Sequence, residues 1–196
     1  MPPPDTSQPA APHVATAAEQ VWVTSRMYAA VAKIALRTYR NPLLAGRAVA
    51  RLSAQVQRFS AASGPIRFVR VGGRWYTGVY DPAWPSPAFD RWAADALNEE
   101  LPWRSTHGSL PLVFWALTDR CPLTCGHCSA SSGPEGAPGL ELSAWMRIMA
   151  ELQDIGVAQI QLTGGEALTR FDNVLALLRS ARPDSDVWML TSGVGL

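Results

Sequence analysis

The segment "LPLVFWALTDRCPLTCGHC", residues 110–128, joins an uninterrupted apolar run to a loop with three cysteines. The run at 110–118 is typical of a strand that is buried on both faces, as in a parallel sheet. These cysteines are the only ones in the chain, and their odd number argues against a disulfide framework. The first residues have neither the charged start nor the apolar stretch of a secretory signal. We therefore expect a cytoplasmic location and reduced thiols, which favour metal or redox chemistry.

Four further segments follow the cysteine loop, and their apolar patterns alternate between helix and strand. One helix is predicted over 142–156, with Ser143 as its N-cap, and a second over 168–183. Strands are predicted at 157–165 and 186–193. The order strand, helix, strand, helix, strand is typical of a parallel sheet with right-handed crossovers. The sequence therefore predicts an α/β fold for this half of the chain.

The N-terminal half has a different composition and pattern. Residues 1–16 are rich in proline and alanine and are predicted to form a disordered tail. Two amphipathic helices are predicted over 18–40 and 42–62, followed by a β-hairpin with its turn near the Gly-Gly pair at 72–73. A third helix is predicted to start after Ser86. The predicted organisation is a tail (1–16), a basic extension with helices and a hairpin (17–107), and a core domain (108–196).

The spacing of Cys121, Cys125 and Cys128 is C-x3-C-x2-C, which narrows the choice of metal. A tetrahedral zinc site needs four ligands, commonly two separated pairs, and here the fourth would be His127. Three thiolates suit a [4Fe–4S] cluster better, because they bind three irons and leave the fourth open to another ligand. The loop also leaves the C-terminal end of a buried strand, where parallel sheets place their chemistry. A non-catalytic metal-binding module stays open as an alternative.

The octapeptide "CPLTCGHC" after an apolar strand resembles the C-x3-C-x-Φ-C signature of radical S-adenosylmethionine (radical SAM) enzymes, with His127 at the usually aromatic Φ position. In that family the open iron is chelated by the amino and carboxylate groups of S-adenosylmethionine. The reduced cluster cleaves this cofactor to methionine and a 5′-deoxyadenosyl radical, which abstracts hydrogen from a substrate. The resemblance implies an oxidoreductase-type activity on a substrate that the sequence does not name. It also implies three cysteine ligands, His127 packed beside the adenine, and an external electron donor such as a flavodoxin or ferredoxin.

A second segment, "QLTGGEAL" at 161–168, is similar to the GGE motif of the same family. The resemblance implies that Gly164 and Gly165 admit the cofactor close to the backbone. It also implies that the Glu166 carboxylate accepts a hydrogen bond from the ammonium group of the cofactor. The final "TSGVGL" resembles the TNG segment of the family, with Ser192 in place of the asparagine. A degenerate relative that keeps these motifs without turnover is a further alternative.

The resemblance covers about residues 110–196 and implies the first half of a (β/α)6 partial TIM-type barrel. The later strands, which contact the cofactor in the family, have no counterpart in this sequence. We therefore expect a chain that is not a competent catalyst on its own, with its third strand as an unprotected sheet edge. A gene fragment, a truncated reading frame and half of a split enzyme would all share these features.

The N-terminal extension is strongly basic. Residues 20–80 contain no acidic residue, whereas acidic residues outnumber basic ones from residue 81 onward. The basic residues in this stretch are Arg26, Lys33, Arg37, Arg40, Arg47, Arg51, Arg58, Arg67, Arg70 and Arg74. They could be solvated residues on helices packed outside the barrel, or they could bind an acidic partner. They could also belong to an interfacial helix pair that turns its arginines toward anionic lipid headgroups, at the periphery of a membrane. We do not expect nucleic acid as the partner.

Overall fold

The computed structural model describes residues 11–102 and 110–194. The chain divides into two compact units, residues 1–108 and 109–196, each of which is described by itself. The predicted domain boundary at 107/108 lies outside the described residues.

Three helices form the body of the first unit: α1 (Ala17–Tyr39), α2 (Pro42–Ser63) and α3 (Pro87–Glu100). All three were predicted, and the structure confirms them. Their apolar faces pack together around Tyr39, whose hydroxyl lies 2.6 Å from the Leu97 carbonyl oxygen. The other fully or largely buried members of this core are Ile34, Ala35, Ala45, Ala48, Phe89, Ala93 and Leu97.

Side-chain caps fix where these helices begin. The Asn41 carboxamide oxygen accepts bonds from the first backbone N–H groups of α2, and the Ser86 hydroxyl accepts one from Phe89 at the start of α3. Thr16 and Glu19 form a reciprocal capping box at the start of α1. Hydrogen bonds from His13 and from Thr16 lower the pKa of Glu19 to about 2. The predicted starts of α2 and α3 are therefore confirmed.

A small antiparallel sheet accompanies the helices, in the order β1 (His13–Val14), β2 (Val69–Val71), β3 (Arg74–Tyr76). The turn between β2 and β3 contains the two predicted glycines, with φ of 55° and 83°, which confirms the hairpin. The prediction of a disordered tail over residues 1–16 is wrong at β1, because residues 13–14 pair with residues 69–70. The physical reason is the edge of the hairpin, whose backbone groups offer hydrogen bonds to an adjacent segment. Residues 1–10 of that tail lie outside the described part of the chain.

The second unit alternates strands and helices. Its elements are β4 (Leu112–Ala116), α4 (Leu142–Asp154), β5 (Gln159–Thr163), a 3-10 turn (Ala167–Arg170), α5 (Phe171–Ser180) and β6 (Asp186–Met189). The three strands are parallel and lie in the order β4-β5-β6. The mixed α/β architecture predicted from the sequence is therefore confirmed.

Both crossover helices cover the same face of this parallel sheet. Trp145 and Met149 of α4 and Leu177 of α5 pack in one core with Ile160 and Leu162 of β5. A strand order that advances in one direction, with crossovers of one hand, puts successive helices on one side. As a result, the prediction that β4 is buried on both faces is wrong. Its Phe114 points to the other face and is 55% exposed.

Two helix starts also differ from the sequence expectation. Helix α4 begins at Leu142 with Glu141 as its N-cap, so Ser143 lies inside the first turn instead of capping it. The second predicted helix is divided, and its first three residues, together with Ala167, form the 3-10 turn that precedes α5. The side chain of Glu166 caps this turn by accepting a bond from Leu168 N–H. Within the described residues, no helix combines the length and the apolar character needed to cross a bilayer.

Candidate functional site

The cysteine loop follows β4 at the C-terminal end of the parallel sheet, and backbone hydrogen bonds close it at its base. The N–H of Cys121 donates to the Gly133 carbonyl oxygen at 2.9 Å, and the N–H of Gly133 donates to that of Asp119 at 3.3 Å. Within the loop, the N–H of Cys128 donates to the Cys125 carbonyl oxygen at 3.1 Å. The three thiols are therefore carried by one loop with a fixed entry and exit.

All three thiols are free, with Cys125 exposed and the other two half-buried. The backbone N–H groups of Ser132 and then Ala130 lower the pKa of the Cys128 thiol, because their hydrogen bonds favour the thiolate. A thiolate is the form that binds metal, and N–H donors to sulfur are also found around protein-bound iron–sulfur clusters.

The three thiols have the chemistry that an iron–sulfur cluster requires, but their sulfur atoms do not converge on one point in this structure. Among residues 11–102 and 110–194, no three His, Cys, Asp or Glu side chains converge closely enough to hold a single metal ion. Three soft sulfur donors on a short, partly exposed loop, one with a depressed pKa, match the requirements of a cluster with one open iron. The three cysteines therefore fit an iron–sulfur cluster by their chemistry, and binding it would bring their sulfur atoms closer together.

The GGE segment after β5 is bonded directly to the entry of the cysteine loop. The N–H of Gly165 donates to the Thr118 carbonyl oxygen at 2.6 Å, and the N–H of Glu166 donates to that of Arg120 at 2.9 Å. Arg120 immediately precedes the first cysteine. These two bonds continue the pairing of β4 and β5 beyond the strands, so the second motif holds the first in place.

The two glycines of this segment leave room for protein backbone. A Cβ at Gly164 would lie 2.4 Å from the Thr118 carbonyl oxygen, and one at Gly165 would lie 2.2 Å from that of Arg120. Gly164 also has φ of 129°, which L-residues rarely adopt. The sequence indicated glycines that admit a cofactor. In the structure they admit the segment leading to Cys121, a role that was not predicted, while their role toward a cofactor stays a prediction.

The Glu166 carboxylate is fully buried and joins the end of β5 to the segment after β6. One oxygen accepts bonds from the Thr191 hydroxyl at 2.6 Å and from the N–H of Leu168 at 3.0 Å. The other accepts bonds from the N–H of Ser192 at 2.9 Å and from its hydroxyl at 2.5 Å. A carboxylate accepts about four hydrogen bonds. A bond to the ammonium group of a cofactor, as predicted from the motif, would therefore have to replace one of these four.

The predicted site residues are thus partly assembled. The structure brings Glu166 into contact with Ser192, and it bonds the GGE backbone to the entry of the cysteine loop. All of these groups lie at the C-terminal ends of the three parallel strands, as expected for an α/β sheet. His127, by contrast, is exposed in the loop.

Three residues that support the site were not predicted. Thr191 is one, because its hydroxyl bonds to Glu166. Thr118 is another, since its hydroxyl donates to the Ala137 carbonyl oxygen at 2.9 Å. The third is Arg170, whose guanidinium donates to the carbonyl oxygens of residues 138 and 140 and lies 4.4 Å from the centre of the Trp145 ring. These partners are 19 to 32 residues apart in the chain, and local sequence patterns carry no signal for such pairs.

We expect the substitution Glu166→Gln to lower the free energy of unfolding by about 1–3 kcal/mol at pH 7, because a buried network loses its charged acceptor. Burial would raise the pKa of Glu166, but the bonds from Ser192, Thr191 and Leu168 outweigh it and lower the pKa below 4.5. The stabilisation is therefore present above pH 4.5 and is lost as the pH falls below that value. Urea unfolding at a series of pH values should show the wild type and the variant converging on acidification.

The matched control is Glu151→Gln, which changes a carboxylate with 67% of its side chain exposed. This variant should differ from the wild type by less than about 0.5 kcal/mol at any pH. A constant difference between Glu166→Gln and the wild type from neutral to acidic pH would show that the charge of Glu166 does not matter.

Comparisons with known proteins agree with this arrangement. The family model described as the radical SAM superfamily matches residues 115–196. The PqqA peptide cyclase of Granulibacter bethesdensis is 40% identical over 80 residues, which are 40% of this chain and 21% of that protein. The GTP 3',8-cyclase of Mycobacterium marinum is 35% identical over 89 residues, 41% of this chain and 24% of that protein. The pre-heme d1 synthase of Dinoroseobacter shibae is 40% identical over 107 residues, 52% of this chain and 26% of that protein.

The chain spans about a quarter of the length of these curated relatives. No solved structure matches it significantly. The matched region contains the cysteine loop, the GGE segment and the strand that leads to Ser192, so the sequence match and the structural site coincide. Residues 115–196 of this chain therefore match the radical SAM superfamily model, and the chain is similar over part of its length to the curated relatives named above.

Proposed function

We propose that Cys121, Cys125 and Cys128 hold a [4Fe–4S] cluster and that the chain takes part in the reductive cleavage of S-adenosylmethionine. The observation that carries this proposal is the hydrogen-bonded junction between the cysteine loop, the GGE segment and the end of β6. It supplies soft ligands beside glycine backbone at the C-terminal edge of a parallel sheet. The relatives that the chain resembles are two cyclases and a synthase, which supports an enzymatic role.

When bound, the reduced cluster would supply the electron that cleaves S-adenosylmethionine into methionine and a 5′-deoxyadenosyl radical, which abstracts hydrogen from the substrate. The residues of this chain have four tasks around it. The three thiolates hold the irons, and the N–H groups of Ser132 and Ala130 stabilise the negative charge on the Cys128 sulfur. Gly165 and Glu166 fix the entry of the loop through Arg120 and Thr118. The backbone at 164–166 and 191–193 borders the space in which the cofactor would lie.

We further propose that the second unit is the first half of a (β/α)6 partial barrel. The strand order advances in one direction, and both helices lie on one face. In a doubly wound sheet the order reverses and helices cover both faces, whereas in a barrel the helices stay outside. The uncovered face of β4 then corresponds to the inside of the barrel. An electron donor such as a flavodoxin or ferredoxin would reach the exposed cysteine loop.

The test is anaerobic reconstitution of the full chain with iron and sulfide, followed by electron paramagnetic resonance of the reduced protein with and without S-adenosylmethionine. We expect about four irons per chain and a spectrum that changes when the cofactor chelates the open iron. Formation of 5′-deoxyadenosine with dithionite is measured on the same samples. A colourless protein that binds one zinc would overturn the proposal. A cluster whose spectrum does not change when S-adenosylmethionine is added would favour the non-catalytic alternative.

A further inference from the structure

The junction between α1 and α2 is a sharp, exposed corner that combines cations with apolar side chains. We call residues 36–47 the α1–α2 corner. Helix α1 ends at Tyr39 and α2 begins at Pro42, so two residues make the turn. Arg37, Arg40 and Arg47 are exposed here. Leu36 and Leu43 are exposed beside them, at 51% and 78%.

The cations of the corner have no acidic neighbours on their own helices. No Asp or Glu occurs anywhere between residues 20 and 80, so no i±3 or i±4 position can neutralise Arg37, Arg40 or Arg47. Two of these cations lie at the C-terminal end of α1, where the helix dipole also favours positive charge. The corner therefore presents three exposed cations with no acidic residue between positions 20 and 80, a set that suits a dense anionic surface.

The two exposed leucines are not part of the helix core. The inner apolar faces of α1 and α2 are buried, because Ile34, Tyr39 and Ala48 pack with residues of α3. A contact of this helix pair with a lipid surface would therefore use side chains outside that core. Leu36 and Leu43 remain outside that core, and each lies four residues before an arginine of the corner.

We propose that the α1–α2 corner docks on an anionic lipid surface, with its arginines at the headgroup phosphates and its two leucines at the acyl boundary. A lipid interface accepts both kinds of side chain at adjacent depths, and apolar residues among cations are typical of such contacts. A nucleic acid backbone or a purely polar acidic segment would bind the arginines but would leave the exposed leucines without an apolar partner.

The experiment is cosedimentation of the full chain with two kinds of vesicle, phosphatidylcholine alone and phosphatidylcholine mixed with phosphatidylserine. We expect binding to the anionic vesicles only, and weaker binding as salt rises. The triple variant Arg37→Glu, Arg40→Glu, Arg47→Glu should lower the partition coefficient by roughly a hundredfold or more. Leu36→Ser with Leu43→Ser should lower it by about tenfold, although the charge is unchanged.

The matched control is Arg58→Glu, Arg67→Glu, Arg74→Glu, which reverses the same number of exposed charges outside the corner. It should lose far less binding than the corner triple, and circular dichroism checks that every variant is folded. Equal losses in the two triples would overturn the proposal, as would absence of binding to anionic vesicles. Binding that the leucine pair does not affect, or tighter binding to an acidic peptide or to DNA through the same arginines, would also overturn it.

Discussion

Replacing Cys121, Cys125 or Cys128 singly with alanine is expected to abolish cluster binding in the reconstituted chain. Each substitution removes one of three thiolates, and the chain has no other cysteine to replace it. The expected result is loss of nearly all cluster iron, of the visible absorbance and of the paramagnetic signal. Iron and sulfide analysis of anaerobically reconstituted protein measures the effect directly.

His127→Phe is the control from inside the same loop. We assign His127 a packing role, and it is exposed in the structure, so an aromatic replacement should keep the iron content of the wild type. Loss of metal in this variant, as complete as in a cysteine variant, would instead support a zinc-type site with three cysteines and one histidine. Circular dichroism of the metal-free proteins separates loss of a ligand from loss of the fold.

Gly165→Ala is expected to displace the entry of the cysteine loop. The new Cβ would lie 2.2 Å from the Arg120 carbonyl oxygen, which is backbone and cannot rotate away as a side chain would. The clash would also lengthen the 2.9 Å hydrogen bond from the N–H of Glu166 to the same oxygen. We expect a loss of about 3 kcal/mol in the free energy of unfolding, since overpacking against fixed backbone costs this much. The iron content of the reconstituted protein should fall as well, because Cys121 directly follows the displaced Arg120.

Gly126→Ala provides the matched comparison, because it makes the same change inside the cysteine loop. A Cβ there meets no atom within 4 Å, so stability should change by less than about 0.5 kcal/mol. Urea unfolding and iron content are measured for both variants. If the alanine at 165 were tolerated as well as the alanine at 126, the close approach of the two backbone segments would have no energetic importance.

The cysteine loop and its place after a strand could be predicted, because both depend on short sequence spacings. The starts of α2 and α3 could be predicted for the same reason, since Asn41 and Ser86 accept hydrogen bonds from backbone N–H groups two or three residues away. Strand β1 was not, because its partner is the hairpin 55 residues later, and its proline-rich surroundings resemble a tail. The exposure of Phe114 depends on which face the helices cover, and an apolar run looks the same in either case.

The candidate site shows the same division. Its cysteines and the GGE segment are contiguous motifs, but the two glycines lie against carbonyl oxygens that are 46 and 45 residues earlier in the chain. The four hydrogen bonds to Glu166 could not be predicted either, since three of them come from residues 191 and 192, about 25 residues later in the chain. A motif therefore indicates which residues matter, whereas their partners follow only from the fold.

The contact between Glu166 and Ser192 has a consequence for how these positions can evolve. What the buried carboxylate needs from position 192 is a side chain that donates a hydrogen bond. A serine hydroxyl and an asparagine amide both do so, so Ser192 can bond to the carboxylate as the asparagine of a TNG segment would. We expect the two positions to covary across homologues. Lineages with a non-donating residue at 192 should have also replaced the acid at 166, whereas the glycines before it should stay fixed, because the backbone that passes them does not depend on that pair.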